Sequence, residues 1–293
     1  MWFFFALASA VIYSFRGILE KMIIGKNNSY ILGFAVRAFA LPFFFIPFIF
    51  SPSLAAPLHH LTPQFWFAIA FICFICTPLE TIFYYKAIKE EEVSFVLPLL
   101  SLAPVITLIV SAIFLKELPN IFGVIGILLL LIGIYTLKLD LAKEGLFEPF
   151  HHIKNNKGAQ MMSIVFLSLG IGSVLDKVGV SAANAYVYAA VNYLTISLAL
   201  FLITIIKARN DLKELKKYWK QFFVLGSVVA GYTLLYDIAL QDSFASYAIA
   251  IRNASVIFTI ILGYLFFKEK NLKQKLLAAV IIAAGLIFIK VLG

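Results

Sequence analysis

The chain has 293 residues, 62% of them hydrophobic and 13% charged, with a mean hydropathy of +0.98. This excludes a water-soluble globular domain, whose core could not hide so much apolar surface, and makes lipid the solvent. The net charge of +9 does not point to nucleic acid, because the lysines fall between apolar runs, where anionic headgroups are their natural partners.

In hydrocarbon every backbone polar group must be satisfied internally, and a helical crossing takes about 20 apolar residues. Breaks at charge, Pro, Asn and Gly divide the chain into ten such segments, near 2–19, 30–50, 64–85, 93–115, 120–137, 161–175, 183–206, 221–240, 245–267 and 275–292. The first follows no basic stretch, so its signal-peptide-like Ala8-Ser9-Ala10 reads as part of a retained span. Cys73 and Cys76 form a C-x-x-C inside the third run with no second pair, and read as small buried hydrophobes. The His59-His60 and His151-His152 pairs lack Cys, Asp or Glu at ligand spacing, so no metal or cofactor is expected. Leu212, Leu215, Trp219 and Phe222 recur at helical spacing among Lys213, Lys216, Lys217 and Lys220, which predicts an amphipathic helix over 211–222 lying on the membrane surface.

The expected architecture is an all-α integral membrane protein of ten transmembrane helices: a first five-helix repeat over 1–138, an interfacial linker over 139–160 and a second repeat over 161–293. Two landmarks support the duplication. Aligning Lys116-Glu117 with Lys268-Glu269 also pairs Ser94 with Ser246, Ala87 with Ala239 and Tyr84 with Tyr236, and Leu19-Glu20-Lys21 matches Leu175-Asp176-Lys177. Two copies of an odd number of spans point opposite ways through the bilayer, the inverted-repeat plan of many secondary transporters. Of the 24 basic residues, eighteen lie in loops on one side. Only Lys116, Lys177 and Lys290 lie opposite, while Arg16, Arg37 and Arg252 fall inside spans. The positive-inside rule then places both termini outside the cell's inner (plasma) membrane.

Tyr84-x-x-Ala87, Ser94, Pro104-Val105 and Phe114-Leu115-Lys116-Glu117, echoed by Tyr236-x-x-Ala239, Ser246 and Phe266-Phe267-Lys268-Glu269, resemble the EamA-type signature of the drug/metabolite transporter superfamily. The resemblance spans nearly the whole chain. It implies ten helices, a central cavity lined by the first four helices of each half, alternating access, and export or exchange of metabolites. It also implies cytoplasmic termini, opposite to the loop charges. The related small multidrug exporters carry a carboxylate in the first helix where this chain has Tyr13 and Leu169, which weakens a cationic-drug reading.

A charge at the bilayer centre costs about 2.5–3.5 kcal/mol, so it faces a cavity or a partner. That singles out Arg16, Arg37, Glu80 and Arg252. Ser9, Tyr13, Arg16 and Glu20 form one stripe of the first helix, where Arg16 and Glu20 either pair or line a cavity. Thr77, Glu80 and Tyr84 share a face of the third, and Asn184, Tyr188, Asn192 and Thr195 a face of the seventh. Tyr232 and Tyr236 on the eighth offer both a stacking face and a hydroxyl. The duplication sets Leu100 against Arg252 and Ser101 against Asn253, so the two halves offer different chemistry there. Gly123, Gly126, Gly133 and Gly285 read as packing surfaces of a scaffold. The expected substrate-binding residues are thus Tyr13, Arg16, Arg37, Glu80, Tyr84, Ser101, Asn192, Tyr232, Tyr236, Arg252 and Asn253. No catalytic motif appears, so the chain reads as a carrier of a small solute, coupled to a proton or a second solute, and not as an enzyme. The rival reading is a flippase or carrier of an anionic lipid-linked headgroup.

Overall fold

The computed structural model describes residues 1–24, 29–90, 97–138, 156–259 and 272–293, and every described element is helical. Helices α1 (Trp2–Ile24), α2 (Ser29–Phe50), α3 (Pro63–Phe71) and α4 (Thr77–Glu90) are followed by α5 (Ala103–Phe114) and α6 (Ile121–Lys138). Then come α7 (Lys157–Ala182), α8 (Ala185–Ala208), α9 (Lys213–Lys217), α10 (Trp219–Gln241), α11 (Ala245–Asn253) and α12 (Leu272–Ile287). Among the described residues five stretches are long and apolar enough to cross a bilayer: Tyr30–Phe50, Pro63–Tyr84, Lys157–Ala182, Ala185–Asp211 and Trp219–Gln241. Shorter apolar helices cover Trp2–Arg16, Leu99–Phe114, Ile121–Thr136 and Leu277–Leu292. The protein is therefore an all-helical membrane protein.

Helix starts follow local chemistry. Thr62 precedes Pro63 at the first position of α3 and accepts from the Phe65 amide at 3.4 Å. Asn120, Asn156 and Asn184 accept at 2.8 Å from the amides of Gly123, Ala159 and Val187, satisfying donors that have no intrahelical acceptor. Asn184, expected on a polar helix face, is thus the cap of α8. Between α3 and α4 the residues Ile72–Cys76 form a π-turn just before Thr77-Pro78. A proline has no N–H to give to the preceding turn, and a wider turn beside it accommodates the broken ladder.

The described chain divides into two compact units, one of Met1–Phe74 with Leu175–Asp242, the other of Ile75–Val174 with Ser243–Gly293. Each draws helices from both sequence halves. In the first unit α1 and α2 pack on α10, and α2 also packs on α8. Its core joins Ile31, Ala35, Val36 and Phe44 to Phe222, Leu225 and Val229. In the second unit α6 lies along α12, and α5 against α11. There the expected glycine scaffold is present: a Cβ on Gly126 would lie 2.9 Å from the Gly285 carbonyl oxygen, and one on Gly285 2.8 Å from that of Gly126. Only residues without side chains permit this approach.

Two sequence expectations need correction. The amphipathic stretch 211–222 is not one surface helix: Tyr218 (φ −113, ψ 23) ends the five-residue α9, and Trp219 opens α10. Of its apolar positions Phe222 is fully buried and Leu212 and Leu215 pack against the first unit's core, while Trp219 is 50% exposed and Lys213, Lys216, Lys217 and Lys220 stay exposed. The ninth span, expected as one run over 245–267, breaks at Ala254 before residues 255–259 resume as helix. The remainder of that span lies outside the described residues, as do Ser94 and the linker over 139–155.

Candidate functional site

In the first unit the stripe of α1 meets one tyrosine of α10. Ser9 donates to the Tyr232 carbonyl at 2.7 Å. Arg16 donates from Nη1 to the Tyr232 hydroxyl at 3.0 Å, and its guanidinium lies 5.6 Å from the Tyr13 ring centroid and 5.9 Å from that of Tyr232. The two rings meet edge to face at 4.9 Å. Arg16 is thus held by aromatic faces and a phenol, an arrangement that suits a guanidinium in a low-dielectric setting. The side chain of Glu20 lies outside the described residues.

A second chain of polar contacts runs through α8. Tyr188 donates to Asp176, Asn192 donates to the Tyr188 hydroxyl at 3.2 Å, and the Cys73 thiol donates to Asn192 Oδ1 at 3.8 Å. Both cysteines are buried free thiols. Tyr193 and Thr233 share a hydrogen bond at 2.9 Å. Arg37, on α2, donates to the Gly33 carbonyl at 3.3 Å and lies within electrostatic range of Cys73 and Tyr193. Tyr236 is buried one turn beyond Tyr232. Asp237, the next residue, is 2% exposed. Lys177 reaches the other end of α10, donating to the carbonyls of Leu240 at 2.7 Å and Gln241 at 3.2 Å, which satisfies groups its last turn leaves open.

The second unit holds Glu80, Tyr84, Ser101, Arg252 and Asn253. Glu80 and Tyr84 project from α4, with Glu80 close to Gly172 of α7 and Tyr84 against the cluster of Ala87, Leu99, Ala103 and Met162. Ser101 and Asn253 each stand one residue before a break. Residues Leu97–Leu102 form a 3-10 turn that gives way to α5 after Leu102 (φ −77, ψ −16), and α11 ends at Ala254 (φ −63, ψ −8). The register that aligns Lys116 with Lys268 aligns Leu102 with Ala254. The fourth segment of each half therefore changes its helical turn at the matching residue; the Ala254 amide donates to the carbonyls of both Ala250 at 3.2 Å and Ile251 at 3.0 Å, and Arg252 and Asn253 stand beside that turn.

The duplicated Lys-Glu pair has a structural use in the first half. Lys116 adopts φ 58, the left-handed turn that closes a helix. The Glu117 amide then donates to the Ser111 carbonyl at 3.3 Å, and its Oε2 accepts from the Ala245 amide at 2.8 Å, capping α11.

The structure brings Tyr13, Arg16 and Tyr232 into direct contact and ties Asn192 to Cys73. It adds Tyr193, Thr233 and Asp176, and gives Tyr188, expected on one face with Asn192, a bond to Asp176. Tyr193 and Thr233 each sit one position from a chosen residue, off the spacing used to find them.

The EamA-like transporter family matches twice, over residues 1–139 and 156–291. This chain belongs to that family. It is accordingly a member of the drug/metabolite transporter superfamily, as the duplicated signature implied. A solved structure described as a crystal structure of a protein superposes with a TM-score of 0.78 over 99% of this chain and 96% of that one, at 14% identity, a likeness of fold alone. An uncharacterised protein of Methanocaldococcus jannaschii is 34% identical over 80 residues, 27% of this chain and 58% of that relative's length. The EamA-like chain thus spans less than two thirds of that relative.

Proposed function

We propose that this EamA-like protein is a secondary carrier that exports or exchanges a small polar, zwitterionic or anionic metabolite by alternating access, through ten spans in two inverted repeats. The observation that carries the reading is the matched interruption after Ser101 and Asn253, with Arg252 beside the second break. Irregular backbone at membrane depth is tolerated where protein or water lines it, and broken helices in paired repeats mark binding sites in carriers. The two breaks differ chemically: Leu100 and Ser101 in one half, Arg252 and Asn253 in the other. An asymmetric solute needs that difference.

Mutation tests the role of Arg252. Arg252→Ala in liposomes should abolish solute flux while the protein stays folded. If Arg252 instead only bridges Glu80, the single variant should be unstable and joint Glu80→Gln should restore stability. Unchanged flux by a stable Arg252→Ala protein would remove the residue from the site.

The lipid-headgroup reading draws support from the exposed lysines at 213, 216, 217 and 220. Both readings place these lysines in the cytoplasm and both termini outside. A membrane-impermeant thiol reagent should leave Lys217→Cys unmodified in intact cells; modification without permeabilisation would reverse the orientation.

A further inference from the structure

We infer that Arg37, together with Arg16, forms an oxyanion-binding site beside Tyr193 in the first unit, taking the carboxylate or phosphate group of the solute. This rests on the carrier reading and narrows its substrate class. Three observations lead to it. Arg37 sits in the middle of α2, a span that contains no other charged side chain. Among the described residues it has no carboxylate partner, and its one hydrogen bond is the 3.3 Å contact to the Gly33 carbonyl on its own helix. A guanidinium presents five donors, so most of its fork remains to be used. Finally, Tyr193 lies within electrostatic range of both Arg37 and Arg16, and Arg16 bonds Tyr232, the chain neighbour of the Thr233 to which Tyr193 is bonded.

A cation at span depth without a carboxylate partner, as Arg37 is among the described residues, favours water or an anion beside it. The surroundings suit an oxyanion. Tyr193 and Thr233 form one hydroxyl pair, and the Tyr232 hydroxyl takes Arg16 at its far side. The Phe44 ring, its centroid 4.5 Å from that of Tyr193, adds apolar surface beside the phenol, and a charge-assisted contact is stronger in such surroundings. Arginine fits a carboxylate or phosphate in bidentate fashion and lysine does not.

The test is calorimetric titration and thermal unfolding of the purified full chain with inorganic phosphate, succinate and ethylammonium, and in micelles doped with dioleoyl phosphatidic acid. Phosphate or succinate should bind and raise the unfolding temperature, and ethylammonium should not. A shift seen only with phosphatidic acid assigns the same chemistry to a lipid headgroup; a shift with the free anions assigns it to a soluble solute. Arg37→Gln should weaken binding at least about tenfold, or 1.4 kcal/mol. Arg37→Lys should fall between, and exposed Arg209→Gln should bind as the wild type does. If Arg37→Gln does not fold, the Lys variant and the wild-type titration decide. No anion binding to the wild type, or equal binding by a folded Arg37→Gln or Arg37→Lys protein, overturns the site. Flux of neutral solutes alone would then leave the carrier intact. Anion binding at Arg37 without flux of any solute would instead contradict the carrier and keep the site.

Discussion

The two compact units are held together differently. In the first, helices from the two halves are joined by side chains: Ser9 and Arg16 to Tyr232, Tyr193 to Thr233, Asn184 to the Leu54 carbonyl at 2.9 Å. In the second, backbones meet directly at Gly126 and Gly285, at Gly133 and the Ala278 carbonyl, and at Gly170 and the Ala103 carbonyl, whereas the first has such a meeting at Gly226 with Phe39. Lipid supplies no hydrophobic drive between helices, so association needs either interhelical hydrogen bonds or close van der Waals contact. Close contact cannot adapt to added bulk, whereas a set of hydrogen bonds loses one member at a time. The unit rich in polar contacts also holds Arg16 and Arg37, which share the setting those contacts create.

The comparison can be broken by mutation. Gly285→Leu has the largest expected effect, because its side chain must enter space occupied by the Gly126 carbonyl and Leu130. Overpacking of that kind costs about 3 kcal/mol or more and should prevent a stable fold in detergent. Glu117→Ala should cost about 1–2 kcal/mol through loss of the α11 cap, read as a lower unfolding temperature. Ser9→Ala should cost about 0.6 kcal/mol, the average for one interhelical hydrogen bond in a membrane protein. If Ser9→Ala proves as damaging as Gly285→Leu, the two units do not differ in the way described.

Much of this was legible in the sequence because polarity is conspicuous in an apolar chain. The stripe of Ser9, Tyr13 and Arg16 has helical spacing, and all three residues meet Tyr232. Gly126, Gly133 and Gly285 stood out as uncharged small residues in charge-free spans. The turn at Ala254 was hidden, because Ala, Ser and Val run through it with no Pro or Gly to mark it. The single surface helix over 211–222 was misread for the opposite reason, since a periodic apolar stripe does not reveal whether lipid or protein covers it. The placing of Asp237, which is buried, and of Lys177, which closes α10, depends on helix packing that their positions in the sequence do not reveal. Contacts such as Tyr193 with Thr233 depend on how α8 and α10 are rotated, which composition does not encode.

The central claim is solute movement. Liposomes containing the purified chain, loaded with a metabolite mixture and assayed by mass spectrometry for what leaves, test it most directly. The account predicts protein-dependent loss of carboxylate- or phosphate-bearing metabolites, abolished in a folded Arg252→Ala protein. No movement of any metabolite beyond empty liposomes, from protein shown to be folded and inserted, would contradict it.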